Sequence, residues 1–319
     1  CSMKNITNNS LWSKLTLLLN ILLLVLFVVS MLFLMKFDKT NLKVVEARPA
    51  YEKAYESFVM AQHPLKQDSA EVAYYQYKLD TLQQKLPKVD KAGKKALEES
   101  ISVTKETLSQ KKKTMQEHLD LISTQEAEYT PLKEEWDALN ADNAKTKSSF
   151  IVIAVITLIV FILKIFTFAT WNFKNSKNLH NVSHSMKDGM PAWMSYVSWI
   201  VPVYNLLKPM SFFKEIWEET DFVLEDKEIV KVADKDKAVD NGGLHLGIWW
   251  ILTLICVWLM NFVLYKTFFT EGPLFIKSNH GNIVIVAIVL LVLCLAEETY
   301  LLITYNKKNK LMVDNADKF

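Results

Sequence analysis

Hydrophobic positions fall along this chain in two registers. Over residues 15–35, 150–170, 246–269 and 283–305 almost every position is apolar, whereas elsewhere apolar residues recur at the three-and-four spacing of a helix with one wet face. Each run has about twenty residues, which at about 1.5 Å per residue covers the roughly 30 Å hydrocarbon core of a bilayer. A helix of a soluble protein is rarely apolar on every face for so long. The pattern predicts an all-α, polytopic membrane protein with four transmembrane helices. Residues 1–14, 171–245 and 306–319 then lie on one side, and residues 36–149 and 270–282 on the other.

Lysines near the ends of the runs set the sides. Lys4 and Lys14 precede the first run, Lys174, Lys177 and Lys187 follow the second, and Lys307, Lys308 and Lys310 follow the fourth. These segments are expected in the cytoplasm, with both termini, in a cell's inner (cytoplasmic) membrane. The loop 270–282 carries only Glu271 against Lys277, which fits the outside. The long insert 36–149 goes with it, because long loops translocate largely regardless of charge.

The insert is where helical periodicity is clearest. Val72, Tyr75, Leu79, Leu82 and Leu86 form a heptad seam, and after Pro87 and Gly93 a second seam runs through Leu97, Ile101, Leu108, Met115 and Ile122. Thr104, Lys111 and His118 interrupt the second seam with polar groups. Two such helices around a short connection predict an antiparallel, coiled-coil-like hairpin. Pro64 and Pro131 are expected to break flanking helices, the second of which carries Leu132, Trp136 and Leu139. A two-helix hairpin has little core, so its outer faces are open to a partner. Tyr74, Tyr75 and Tyr77 are the partner-binding candidates; the plainer reading packs them on the flanking helices.

Between Pro191 and Phe222 a second amphipathic stretch is too short to span. It predicts an interfacial or re-entrant helix pair interrupted at Pro202 and Pro209, with tryptophans at the headgroups. Its membrane-interface candidates are Trp193, Trp199, Pro202, Asn205, Pro209 and Trp217, joined by Trp249 and Trp250. Trp171, Asn178-Leu179, Pro191-Ala192-Trp193, the run Trp199 to Leu206, Lys208-Pro209, Glu215-Ile216-Trp217 and Trp249-Trp250 together give a motif. In these residues the chain resembles the membrane family called domain of unknown function 4328, over roughly Phe150 to Lys310. The resemblance implies several spans with short cytoplasmic amphipathic elements and brings no established activity. The insert before Phe150 looks like an addition to the family core.

Charge narrows the function classes. Half of the residues are hydrophobic and 23% are charged, and the charges sit almost wholly outside the apolar runs, so a membrane sector and a water-exposed part are both expected. A net charge of +2 with Arg48 as the only arginine gives no case for a nucleic-acid partner. Cys256 and Cys294 lie inside apolar runs and Cys1 is terminal, which is no disulfide framework. Cys1 is read as a remnant before a natural start at Met3, a lipidated terminus being the other reading. His180 and His184 stand four apart without a third ligand, so no metal and no cofactor is expected. With seven glycines and neither nucleophile elbow nor phosphate loop, an enzyme is the least supported class.

Charges inside the runs are the remaining chemistry. Lys164 lies at a depth similar to that of Glu297 and Glu298, which predicts an intramembrane cluster in which the lysine pairs with one carboxylate. The other readings are a proton or cation path and a lysine that snorkels to the interface. Two function classes follow. One is an accessory or scaffold subunit, in contact with membrane lipids, that holds a protein partner or forms homo-oligomers through its helical arm. The other is a transporter or channel subunit using Lys164, Glu297 and Glu298.

Overall fold

The structure, a computed structural model, describes residues 6–88, 90–187, 189–200, 207–230, 242–269 and 280–319, and among these every regular element is helical. Helix α1 (Ser10–Lys85) leads through a short 3-10 turn (Leu86–Lys88) into α2 (Lys91–Val182). Then come α3 (Met194–Ile200), α4 (Lys208–Asp226), α5 (Gly242–Phe269) and α6 (His280–Asp314). Four of these, α1, α2, α5 and α6, are long and apolar enough to cross a membrane. The chain divides into two compact units, residues 1–39 with 146–319, and residues 40–145.

In the first unit the core is heaviest at one end of the apolar helices. Phe168, Trp171, Phe212, Phe213, Ile216, Trp249, Leu301 and Tyr305 are buried there. Phe213 meets Trp171 and Trp249 edge-on, at centroid distances of 5.5 and 6.0 Å. Smaller clusters, one of Met31, Leu34, Phe37, Phe150 and Val284 and one of Leu23, Val160, Leu291 and Leu295, continue along the bundle. The opposite faces stay bare: Leu18, Ile21, Val152, Ile162, Trp258 and Ile285 are all more than half exposed. So much outward apolar surface is a liability in water and the norm against lipid, which makes this a membrane protein.

Pro209 opens α4 instead of breaking it, because the first helical turn needs no amide hydrogen at that position. Helix α4 is amphipathic and buries Phe212, Phe213, Ile216, Trp217, Val223 and Leu224, so its apolar face packs on protein. Gly242 closes this region: a Cβ there would collide with the Trp217 indole, so only glycine lets α5 start so near α4.

The second unit is an antiparallel helix pair. Thr40 donates to Asn143 at 3.0 Å, Asp68 meets His118, and Glu71 meets Lys111, so partners run in opposite directions along the two helices. At the turn, Asp90 starts α2 by accepting the Gly93 amide hydrogen at 3.0 Å. Leu79, Thr104 and Leu108 are buried at the seam, while the other seam residues are half-buried.

One expectation is overturned here. Pro64 and Pro131 do not break helices, and nor does Pro49; α1 and α2 run through all three. A proline frees the carbonyl four residues earlier, and those carbonyls belong to the exposed residues Val45, Met60 and Ala127, where water can take the lost bond. Long helical stretches on either side then carry the helix through the defect.

Candidate functional site

One carboxylate is held by all four apolar helices. Glu298 of α6 is 1% exposed, and its Oε2 lies 2.5 Å from Lys164 Nζ of α2. The Trp249 Nε1–H of α5 donates to the same oxygen at 3.1 Å, and Asn20 Nδ2 of α1 donates to Oε1 at 3.2 Å. Both oxygens are therefore occupied, one by a cation and an indole and the other by an amide. Removal from water costs an isolated carboxylate several kcal/mol, and this donor set is what offsets it. Around the centre, Thr167 donates to the Lys164 carbonyl at 2.9 Å and Thr16 reaches Thr167 at 3.1 Å. Asn20 Oδ1 is buried with no partner among the described residues.

Glu297 goes elsewhere, because successive helix positions point about 100° apart and only one of the two glutamates can face the bundle interior. His245 Nδ1 stands 2.7 Å from Glu297 Oε2, and the imidazole lies 4.4 Å from the Tyr300 ring. The pair is about a quarter exposed. Of the three charged residues singled out from the sequence, Lys164 and Glu298 are brought together and Glu297 is not. Asn20, Trp249 and His245 were missed as partners. Their signal was spacing: His245 and Trp249 are one helical turn apart, on the side of α5 that faces the two glutamates.

A polar layer follows toward the Trp171 end. The Trp171 indole donates to Asn306 at 3.2 Å, and Asn306 donates on to Ser13 at 2.6 Å. Asn178 exchanges bonds with Thr7, donating to its carbonyl at 2.9 Å and accepting its amide hydrogen at 3.0 Å. Tyr305 and Thr220 share a hydroxyl bond of 2.8 Å that fastens α4 to α6. Beside it Lys308 donates to both Asp221 oxygens, at 2.5 and 2.7 Å, with its ammonium 4.2 Å from the centre of the Trp217 ring. Burial pushes the Asp221 carboxyl above the ordinary carboxylate range, against the pull of Lys308, and pushes Lys308 below the ordinary lysine value.

The headgroup assignments divide. Trp193 is 54% exposed, and Trp199 is half-buried against Phe168 and Trp250. Pro209, Trp217, Trp249 and Trp250, the other headgroup candidates, are buried inside the protein. The physical reason is that α4 covers this end of the bundle and gives these rings protein neighbours. Pro202 and Asn205 lie outside the described residues. His180 bonds the Ser176 carbonyl of its own helix at 2.8 Å, and no group of three metal-ligating side chains occurs among the described residues.

On the hairpin, Tyr75 turns into the seam while Tyr74 and Tyr77 are 59% and 72% exposed. A cleft of about 330 Å³ is lined by Gln67, Ala70, Glu71, Tyr74, Tyr75 and Lys111. Lys111 Nζ is 2.5 Å from Glu71, which holds the carboxyl below its ordinary range and the ammonium above its own. A second aromatic group escaped the sequence reading: Tyr51 stacks on Trp136 at 5.0 Å, and Phe58 stacks on Tyr129 at 5.1 Å. The seven-residue spacing of Tyr51 and Phe58, matched by that of Tyr129 and Trp136, was its legible trace.

A family model described as Domain of unknown function (DUF4328) matches residues 137–303. The match covers more than half of the 319 residues, and the chain belongs to that family. It takes in Lys164, Trp249, Glu297 and Glu298 but leaves out Asn20 and most of the hairpin. No curated protein and no solved structure matches the chain.

Proposed function

We propose that this member of the family is an integral membrane accessory subunit, a scaffold that recruits a protein partner through the hairpin formed by residues 40–145. In this reading the four apolar helices are spans, both termini are cytoplasmic, and the hairpin lies outside. The observation that carries it is the pair of exposed rings at Tyr74 and Tyr77 beside the open cleft. Tyr55, Met60, Val103 and Leu121 add further bare apolar surface to the hairpin. Tyrosines at the edge of a cleft have the composition of interface hot spots, and a water-exposed two-helix pair gains little by displaying them for its own stability. The transporter alternative draws less support, because both oxygens of Glu298 are already engaged and a titrating carboxylate needs a path on either side.

Purification from the native membrane in mild detergent tests the proposal. A partner that co-elutes with the intact chain is expected to be lost from Tyr74→Ser/Tyr77→Ser and from a chain lacking Gln67 to Gln125. Retention of every partner by both variants removes the hairpin from recruitment. Sidedness is checked by single cysteines at Lys91 and at the exposed Lys310, in a chain whose Cys1, Cys256 and Cys294 are alanine. An impermeant reagent added outside should modify the first and spare the second.

A further inference from the structure

The hairpin is electrically polarised along its length. From Lys78 to Lys113, the part around the turn, ten lysines stand against five acidic residues, whereas the rest of residues 40–145 carries thirteen acidic residues against six basic ones. Five of the lysines fall between Lys85 and Lys95. Lys85, Lys88, Lys94 and Lys95 are exposed, and no ion pair involves them among the described residues. The one acid among them, Asp90, is turned to the start of α2, where its carboxylate accepts an amide hydrogen. From Lys85 back to Thr40 the helix runs roughly 70 Å at 1.5 Å per residue. That is many Debye lengths of about 8 Å, so the acidic end does not neutralise the turn.

We propose that this turn is a docking surface for an anionic lipid surface. What it lacks selects the occupant. Among the described residues no large apolar side chain is exposed between Tyr77 and Val103, so these residues offer a protein partner no apolar anchor. Between Lys78 and Lys113 no aromatic ring offers single-stranded nucleic acid a stacking platform, and Arg48, the chain's only arginine, lies at the far end of the hairpin. Lysine ammoniums are strongly hydrated point charges, suited to a diffuse sheet of phosphates without fixed geometry. A second copy lying parallel would bring turn against turn and is disfavoured by like charge. The surface is distinct from the tyrosine cleft and does not depend on what that cleft holds.

The test uses the full chain in nanodiscs of uncharged phosphatidylcholine, mixed at low salt with separate vesicles. Binding to vesicles containing about one third phosphatidylglycerol is expected to exceed binding to pure phosphatidylcholine by tenfold or more, since each lysine near such a surface contributes about fivefold. It should fall by at least roughly tenfold in Lys85→Gln/Lys88→Gln/Lys94→Gln/Lys95→Gln, and on raising salt, with helix content unchanged. Equal binding to neutral vesicles, or undiminished binding by the fourfold variant, overturns the proposal. Nanodiscs that pair with one another before vesicles are added would assign the turn to a second copy instead. Displacement of the vesicles by an equal charge of single-stranded DNA would assign it to nucleic acid.

Discussion

The same interaction is built twice in this molecule, in opposite surroundings. In the hairpin, Lys111 and Glu71 meet at 2.5 Å with side chains 39% and 32% exposed; in the other unit, Lys164 and Glu298 meet at the same distance with side chains 8% and 1% exposed. Coulomb attraction at equal separation differs only through the medium. Water screens the first pair and has already been removed from the second. The hairpin pair is therefore replaceable, whereas each member of the buried pair is hostage to the other. Distance alone says nothing about what an ion pair contributes.

The sharpest way to break this comparison is Lys164→Met. It leaves the buried Glu298 with the Trp249 and Asn20 donors but no cation, and is expected to cost about 3 kcal/mol in thermal or denaturant unfolding in detergent. Adding Glu298→Gln should recover much of the loss, since glutamine still accepts from Trp249 and can donate to the unpartnered Asn20 Oδ1. A stable Lys164→Met protein with no response to the second change would show that the carboxylate does not depend on this lysine.

Lys308→Met should have an intermediate effect, about 2 kcal/mol, as expected for a partly buried bond between charged groups. Its pH dependence is informative. The folded state holds the Asp221 proton more tightly than the unfolded state does, so this contribution is greatest below the ordinary carboxylate range and is lost as pH rises through the raised value. Without Lys308 that value rises further. The deficit of the variant relative to the parent should thus widen from mildly acidic toward neutral pH, and a deficit that narrows refutes the assignment.

Acid should loosen the hairpin in the opposite sense. Glu71 has its folded value lowered, so its contribution is present above the ordinary carboxylate range and fades as pH falls through the lowered value. Lys111 has its value raised, so its share persists until pH climbs above the ordinary lysine range. Hydrogen-exchange protection of the amides flanking Glu71 and Lys111, taken relative to the intrinsic rate at each pH, should fall below the ordinary carboxylate range and stay level through neutrality. The smallest effect is reserved for Lys111→Met, whose melt should fall within the scatter of the parent. A loss comparable to that of Lys164→Met would erase the contrast between the two pairs.

What the sequence made legible was set by periodicity and depth. The four apolar helices and the family motif could be read because they depend on local runs of residues. The depth of Lys164 named the class of its partner, but the choice of Glu298 over Glu297 turns on helix rotation, which a run apolar on all sides does not encode. Trp249 read as a headgroup anchor because amphipathic rings favour interfaces, and only the packing of α4 over it shows its indole pointing at a carboxylate. Tyr75 could not be separated from Tyr74 by composition, although the heptad had already placed it on the seam. Pro64 and Pro131 misled for a simpler reason, since exposure of the freed carbonyl decides the outcome more than the proline itself.

The buried pair also imposes a timetable on synthesis. Lys164 and Glu298 are 134 residues apart, and a ribosome adding about 5–20 residues per second needs on the order of ten seconds to make the second after the first. Throughout that interval the lysine has no carboxylate to meet and Asn20 has no acceptor to hold. Where the four apolar helices are spans, the nascent helix waits with its ammonium drawn toward the membrane surface, or in the care of the insertion machinery, until α6 arrives. Assembly of this bundle is then completed from its C-terminal end, and a chain cut short before Glu298 is a ready substrate for quality control.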